Sequence, residues 1–255
     1  MTRNAAVGKQ CIPEVNFSDQ GDMRFLHLGT PWVQGMMSIK QPFDLKLEYA
    51  ERMMAWLLFV TPPSVPKRHA MQLGLGAASL TKFCHNKLRM QTTAIELNPQ
   101  VVLACRTWFK LPPEDKRLKI VVADAAQEIQ RPVWHRTVDA LQVDLYDEEA
   151  DGPVLDSEEF YRHCHRLLTD DGCMTVNLFG RLSGYDESVR KIVKVFGPGT
   201  VWTFKPTKEG NTIVLAQRTA RPPTMDQLVA RCQDIQQRWK IRTRTWLHMF
   251  NPLPP

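Results

Sequence analysis

The chain has 255 residues, 43% hydrophobic and 24% charged, which suits one soluble α/β domain with additions. Its longest apolar stretch, MMAWLLFV (53–60), is too short to span a bilayer, and MTRNAAVGKQ lacks the apolar run of a secretory leader, so no membrane association is expected. Six cysteines without CxxC spacing read as reduced, mostly buried thiols of a cytoplasmic protein, and no metal is expected. The net charge of +6 is concentrated at the end, where seven of the 33 basic residues and two of the 27 acidic ones follow Gln217. No Gly/aromatic RNA-binding signature surrounds them, so a solvated helix face is expected and nucleic acid is not.

Residues 1–20 read as frayed, and 23–40 alternate apolar and polar side chains around GTPW and QG turns, predicting two or three short antiparallel strands. Leu45, Tyr49, Met53, Trp56 and Leu57 recur at helical spacing and predict one helix over 45–60. The prolines of TPPSVPKR (61–68) end it as a linker. An α/β core follows, with strands near 70–75, 91–97, 118–123, 138–145, 173–179, 200–205 and 211–217. Helices are predicted between them at 79–88, 99–108, 124–130, 157–168 and 186–196. Pro99 suits a first helical turn, and Ser157 a cap followed by acids. The last two strands form a hairpin, which predicts a seven-stranded, mostly parallel, doubly wound sheet with one antiparallel strand. Thr224 and Gln227 make a capping box for a helix whose buried face is Leu228, Cys232, Ile235 and Trp239. The tail TRTWLHMFNPLPP is apolar enough to dock. The expected organisation is an N-terminal β-rich unit with linker helix (1–65), a nucleoside-binding α/β domain (66–220), and a C-terminal helix and tail (221–255).

Within the core, MQLGLGAAS (71–79), TTAIELNP (92–99), IVVADA (120–125) and ALQVDLYDEE (140–149) each end in a Gly-rich turn or an acid. A doubly wound sheet places ligand groups at these strand ends. Gly74 and Gly76 let the backbone approach a ligand. Glu96 falls 20 residues after Gly76, where a carboxylate can accept both hydroxyls of a ribose. GxG alone is weak, because Ser79 stands where a dinucleotide fingerprint wants a third Gly. GxG followed by Glu96, Asp124 and Asp144 at successive strand ends is stronger. The run 144–159 holds eight acids and no Lys or Arg, which attracts a polycation and repels an anionic substrate. HCH (163–165) is not a chelating pattern, because i and i+2 on a helix point to different faces.

With these residues in place, the chain resembles the spermidine synthase (polyamine aminopropyltransferase) family, built on the fold of class I AdoMet-dependent methyltransferases. The similarity runs from about residue 24 to 217. PWVQG (31–35) is similar to the family's VQ segment and implies that Gln34 faces the nucleoside. In LKLEYAERM (45–53), Tyr49 matches a substrate-facing Tyr. QLGLGAAS stands in the Gly-rich loop, and AIELNPQVV brings Glu96 onto the ribose-binding Glu. ADA (123–125) implies that Asp124, with Ala125, meets the adenine. VDALQVDLYD (138–147) matches the family's Asp-x-x-Asp and implies Asp144 and Asp147 as catalytic acids. Glu148 follows them as a further substrate-binding acid. Three positions depart from the family: Ala77 replaces an Asp that binds the amine end of decarboxylated AdoMet, Ala50 replaces a His, and FKPTKEGN (204–211) lacks a Tyr.

The resemblance implies aminopropyl transfer from decarboxylated AdoMet to a polyamine acceptor, with Asp144 as base and Asp147 orienting the amine. Decarboxylated AdoMet or AdoMet is the expected co-substrate, with no tightly bound cofactor. A small cationic amine is the expected substrate. A homodimer is expected, because the 23–40 unit is too small to bury Trp32, Val33, Met36 and Met37 by itself. Two other readings stay open. One is an AdoMet-dependent methyltransferase on the same fold, since Ala77 removes a repulsion against the AdoMet carboxylate. The other is a non-catalytic nucleoside-binding relative.

Overall fold

The computed structural model describes residues 13–146, 154–179 and 184–253; Asp147, Glu148 and the rest of the acidic run to 153 lie outside them. The main sheet is formed by β4 (His69–Leu73), β5 (Gln91–Glu96), β6 (Leu118–Val122), β7 (Val138–Val143), β8 (Leu168–Leu178), β9 (Val201–Phe204), β10 (Thr212–Gln217) and β11 (Phe250–Pro252). Their order across the sheet is β11-β9-β10-β8-β7-β4-β5-β6. The strands from β6 to β8 are parallel. β10 runs against both its neighbours, and β11 runs against β9. The chain winds outward from β4 to β5 and β6, then returns to β7 on the other side of β4. The strand order therefore reverses between β4 and β7, the point at which a doubly wound sheet places its ligand crevice.

The sheet has eight strands, not the predicted seven, and two that run against the parallel set. The extra strand comes from the tail. Phe250 pairs with Phe204 in register, and Trp246 packs edge-on to Phe204 at 5.4 Å between ring centroids. A strand of three residues carries little signal of its own and forms only because β9 offers it a free edge and an aromatic wall.

A smaller antiparallel sheet of β1 (Val15–Gln20), β2 (Met23–Leu28) and β3 (Gly35–Ser38) lies at the N-terminus. Residues 15–20 were expected to fray but pair along their full length with β2. The sheet packs on helix α3 (Pro99–Thr107) and the turn after it, where Phe17 lies 4.9 Å from Trp108 and Arg24 donates to the Trp108 carbonyl at 2.9 Å. Met37, expected to be exposed, is only 2% exposed and joins the core beneath α3, whereas Trp32 is 63% and Val33 49% exposed.

The predicted helix over 45–60 is interrupted. Helix α1 (Glu48–Arg52) is followed by a 3-10 turn, Ala55–Phe59. The carbonyl of Met53 accepts from Thr175 at 3.1 Å and Gln142 at 3.2 Å, both side chains of the sheet, so it does not serve an α-helical ladder. Residues 53 to 58 are buried on every side, which an amphipathic helix would not be. The predicted helix 79–88 is a short α-helix, α2 (Ser79–Lys82), that widens into a π turn, Phe83–Lys87, closed by Leu88 N donating to Phe83 O at 3.1 Å.

Four of the remaining helices begin at side-chain caps. Asn98 accepts from Gln100 N ahead of α3, Asp124 from Ala126 N ahead of α4 (Ala125–Glu128), and Ser157 from Phe160 N ahead of α5 (Glu158–Leu167). Helix α6 (Tyr185–Phe196) follows, and α7 (Met225–Trp239) starts on the complete Thr224–Gln227 capping box. Helix α7 buries Leu228, Cys232 and Ile235, while Trp239 packs against the same core only partly buried. Several tail cations are occupied within the chain: Arg231 by the Leu58 carbonyl, Arg238 by Asp234 and Arg242 by Glu51. No helix among the described residues is long and apolar enough to cross a membrane.

Trp246 is 2% exposed in the seam between the tail and β9. Trp246→Ala is expected to destabilise the protein by about 3–5 kcal/mol through the cavity it leaves, read from urea unfolding. A loss under about 1 kcal/mol would show that the tail is only loosely docked.

Candidate active site

The strand-end residues meet along one edge of the sheet. Leu73 pairs with Ile95 on one side and Val143 on the other, so Gly74, Glu96 and Asp144 emerge side by side. Ala123 N donates to Glu96 O at 3.0 Å and brings Asp124 and Ala125 to the same edge. Gly74 has φ +89°, and a Cβ there would fall 2.3 Å from the Asp144 carbonyl oxygen. Only glycine lets β4 and β7 close at the crevice. Gln34 and Gly35 cross over the Gly-rich turn from the small sheet. An added Cβ on Gly76 would sit 3.2 Å from Gln34 O, and one on Gly35 would sit 2.7 Å from both Ala77 Cβ and Ala77 N. Ser79 Oγ fastens this crossing by donating to Met36 O at 3.0 Å.

Glu96 is held by the backbone. Its Oε2 accepts from Leu75 N at 2.9 Å and its Oε1 from Asn98 N at 2.8 Å. A carboxylate has about four lone-pair sites, so these two bonds leave capacity for a ligand. Burial raises the Glu96 pKa above the ordinary glutamate value, and these N–H donors oppose the rise. Asp124 caps α4 and also accepts from Gln127 Nε2 at 3.3 Å. One carboxylate thus orders a helix while its outer lone pairs stay at the rim.

Asp144 stands at the mouth of the crevice, partly exposed. Its Oδ1 accepts from Asn177 Nδ2 at 2.9 Å, and the Tyr49 hydroxyl also donates to it. Burial pushes its pKa above the ordinary aspartate value, and the two donors pull it back. The Tyr49 phenol is raised well above its ordinary value, first by burial and then by the negative charge of Asp144. It therefore stays protonated and remains a donor.

Two more groups complete the surroundings. Tyr146 donates to Asn177 O at 2.6 Å, and Asn177 Oδ1 accepts from Asn211 Nδ2 at 3.1 Å. Sequence reasoning did not single out Asn177, Asn211 or Tyr146. The strand-end rule would have found Asn177 if applied to β8, whose Val176 pairs with Val143 just before Asp144. Asn211 comes from a hairpin with no such signal. Ala50 is 2% and Ala77 3% exposed, both packed inside the fold. A cleft of about 460 Å³ between residues 41–51 and 239–242 contains none of the strand-end groups.

Sheet order and site together define a protein of the class I methyltransferase-like α/β type with an acidic strand-end site. A polyamine aminopropyltransferase of Neisseria meningitidis is 33% identical over 235 residues, covering 91% of this chain and 87% of its own length. No protein-family model matches. Two solved structures share the fold: a probable spermidine synthase from Corynebacterium glutamicum and human Methyltransferase-like protein 13 in complex with SAH. The first superposes with a TM-score of 0.71 at 19% identity, covering 92% of this chain and 88% of that one. The second gives 0.69 at 21% identity, covering 76% and 93%. The chain belongs to the polyamine aminopropyltransferase family and is a transferase.

The raised Asp144 pKa has a consequence for stability. The folded protein holds this proton to higher pH than the unfolded chain does, so stability falls as pH rises from about 4, the unfolded aspartate value, through the folded pKa. Asp144→Asn removes that loss. The variant is expected to melt above wild type at pH 7, with the difference closing as pH approaches 4; an equal or lower melting temperature at pH 7 contradicts it.

Proposed function

We propose that this protein transfers an aminopropyl group from decarboxylated AdoMet to the amine of a polyamine acceptor, with Asp144 as the base. The observation that carries this reading is a half-buried carboxylate at the strand-order reversal, next to the Gly-rich turn and held by Tyr49 and Asn177. The Neisseria relative's name and the eight acids of residues 144–159 support the cationic acceptor. The Glu96–Asp124 edge suits a nucleoside. Glu96 takes the ribose hydroxyls on its remaining lone-pair capacity, and Asp124, with Ala125 beside it, faces the adenine amine. Leu97, 52% exposed beside Glu96, offers an apolar surface for the base, and Gln34 covers the other side of the Gly-rich turn.

The reaction is a displacement at the carbon next to the sulfonium. The amine lone pair forms the new C–N bond, the C–S bond breaks, and sulfur keeps the electron pair as the neutral thioether of methylthioadenosine. The attacking nitrogen sheds one proton, and Asp144 accepts it. The sulfonium is already a good leaving group, so the protein contributes alignment, removal of water and a proton acceptor. Tyr49 holds the carboxylate toward the crevice. Asp147 and Glu148 follow within four residues and are assigned to the ammonium groups of the acceptor. A homodimer, with exposed Trp32 and Val33 at its interface, belongs to the same reading.

One feature favours the methyltransferase alternative. Ala77 brings no negative charge to the Gly-rich turn, so the carboxylate of intact AdoMet meets no repulsion there. The acidic run after β7 weighs against it for an anionic substrate.

Two measurements test the proposal. Methylthioadenosine is expected to raise the melting temperature by binding the native state. Glu96→Ala is expected to weaken its affinity by about 2–4 kcal/mol while adenine affinity stays near wild type. Equal losses for both ligands would move Glu96 from ribose contact to loop support.

The second supplies putrescine, spermidine or cadaverine with each sulfonium donor. Methylthioadenosine with a matching polyamine is the expected product, and Asp144→Asn is expected to slow turnover about 10²–10⁴-fold. Wild-type activity should fall as pH drops through the raised Asp144 pKa, since the carboxylate is the active form. Adenosylhomocysteine as sole product, or full activity in Asp144→Asn, would overturn the assignment.

A further inference from the structure

A row of polar side chains beneath Asp144 takes no part in the chemistry above. Gln72 on β4, Gln142 on β7 and Thr175 on β8 stand side by side in register. Their exposures are 1%, 0% and 0%, in the middle of an apolar sheet. Amides buried without partners destabilise a fold, so each must be satisfied. Gln72 Nε2 donates to Gln142 Oε1 at 2.7 Å, and Gln72 Oε1 accepts from Thr81 of α2 at 3.3 Å. Gln142 Nε2 donates to the Met53 carbonyl at 3.2 Å, and Thr175 Oγ1 donates to that same carbonyl at 3.1 Å. The row runs from the helix after the Gly-rich turn to the end of the helix that carries Tyr49.

Residues two apart on a strand share a face. Gln142 and Asp144 therefore share a face of β7 and its continuation, and Thr175 and Asn177 share the matching face of β8. The lower pair holds the Met53 carbonyl. The upper pair is joined by the 2.9 Å Asn177–Asp144 bond and receives the Tyr49 hydroxyl. Met53 and Tyr49 are one helical turn apart, and Met53 N donates to Tyr49 O at 2.8 Å. Two successive rungs of one strand pair thus grip α1 at two points, which sets where the phenol lies relative to the carboxylate.

We infer that Gln142 and Thr175 are positioning residues: by holding the Met53 carbonyl they set α1 so that the Tyr49 hydroxyl donates to Asp144. Only the kinetic consequence rests on Asp144 being the base. The Tyr49 bond favours the ionised carboxylate, as does the Asn177 bond, and burial opposes both. Among the described residues, Tyr146 is the other titratable side chain whose charge acts on this group. If α1 loosens, Asp144 keeps its proton to higher pH.

The test reads Asp144 directly, by NMR titration of protein labelled with ¹³C-carboxyl aspartate, its signal identified by loss in Asp144→Asn. Tyr49→Phe is expected to raise the titration midpoint by about one pH unit. Thr175→Val keeps the shape but loses the donor, and should raise the midpoint in the same direction by a smaller amount. Thr175→Ser keeps the hydroxyl and should restore wild-type behaviour. Adding Thr175→Val to Tyr49→Phe should produce no further shift, because the route passes through Tyr49. In turnover, Thr175→Val should lower kcat about 10-fold with an unchanged KM for the donor. Gln142→Met should act in the same sense where it folds, and Thr175→Val keeps the test decisive where it does not. A wild-type titration in Thr175→Val, or an equal added shift in the Tyr49→Phe background, overturns the inference. The expected titration shifts with wild-type kcat would leave the positioning role standing and remove Asp144 as the base.

Discussion

A carboxylate set at the end of an apolar sheet loses solvation, and the middle of this structure is organised around that loss at Asp144. The two donors that offset it come from separate elements, and a third group steadies one of them. Asn177 ends the neighbouring strand, Tyr49 lies on α1, and Tyr146 braces the Asn177 carbonyl. None of the described donors to Asp144 is a cation. A Lys or Arg there would hold the pKa low and compete with a protonated amine for the same oxygens. Neutral donors oppose the rise without abolishing it, and the pKa stays above the ordinary aspartate value.

The donor side of the crevice is built from backbone rather than side chains. Gly74 closes against Asp144 O, and Gly35 lies on Ala77. These contacts depend on missing side-chain atoms, so both sheets must be in place before the Gly-rich turn has its shape. They also account for position 77. Its Cβ already meets the crossing strand at Gly35, and the residue is buried, so a longer side chain there would have to leave by another direction.

The C-terminal segment acts on the same centre from a distance. Arg242 donates to Glu51 at 3.0 Å, and the carbonyl of Lys205, beside β9, accepts from Arg52. Both acceptor and donor residues sit on α1 next to Tyr49. Because α1 has only five residues, it has little helical stability of its own. Its position is set by the sheet below, the tail beside it and the core around Trp56. A substitution in the tail can therefore change the site without touching it.

Local rules were enough to read much of this chain. The glycines and acids at 74, 76, 96, 124 and 144 each follow an apolar strand, and a parallel sheet brings such ends together whatever lies between them. Caps at Ser157 and Thr224 are equally local, since each satisfies an N–H group three residues ahead. The interrupted helix at 53 and the eighth strand at 250 depended on partners distant along the chain, 89 and 122 residues away for Met53 and nearly fifty for Phe250. Gln142 and Thr175 intercept the Met53 carbonyl, and β9 supplies an edge for Phe250. The acids of the site were legible because chemistry restricts which residue types can serve. Asn177 and Asn211 were not, because an amide at a strand or hairpin end is ordinary until the fold sets it against a carboxylate. Residue type and order along the chain determined which groups reach the sheet edge; only tertiary packing decided which neutral donors would hold them there.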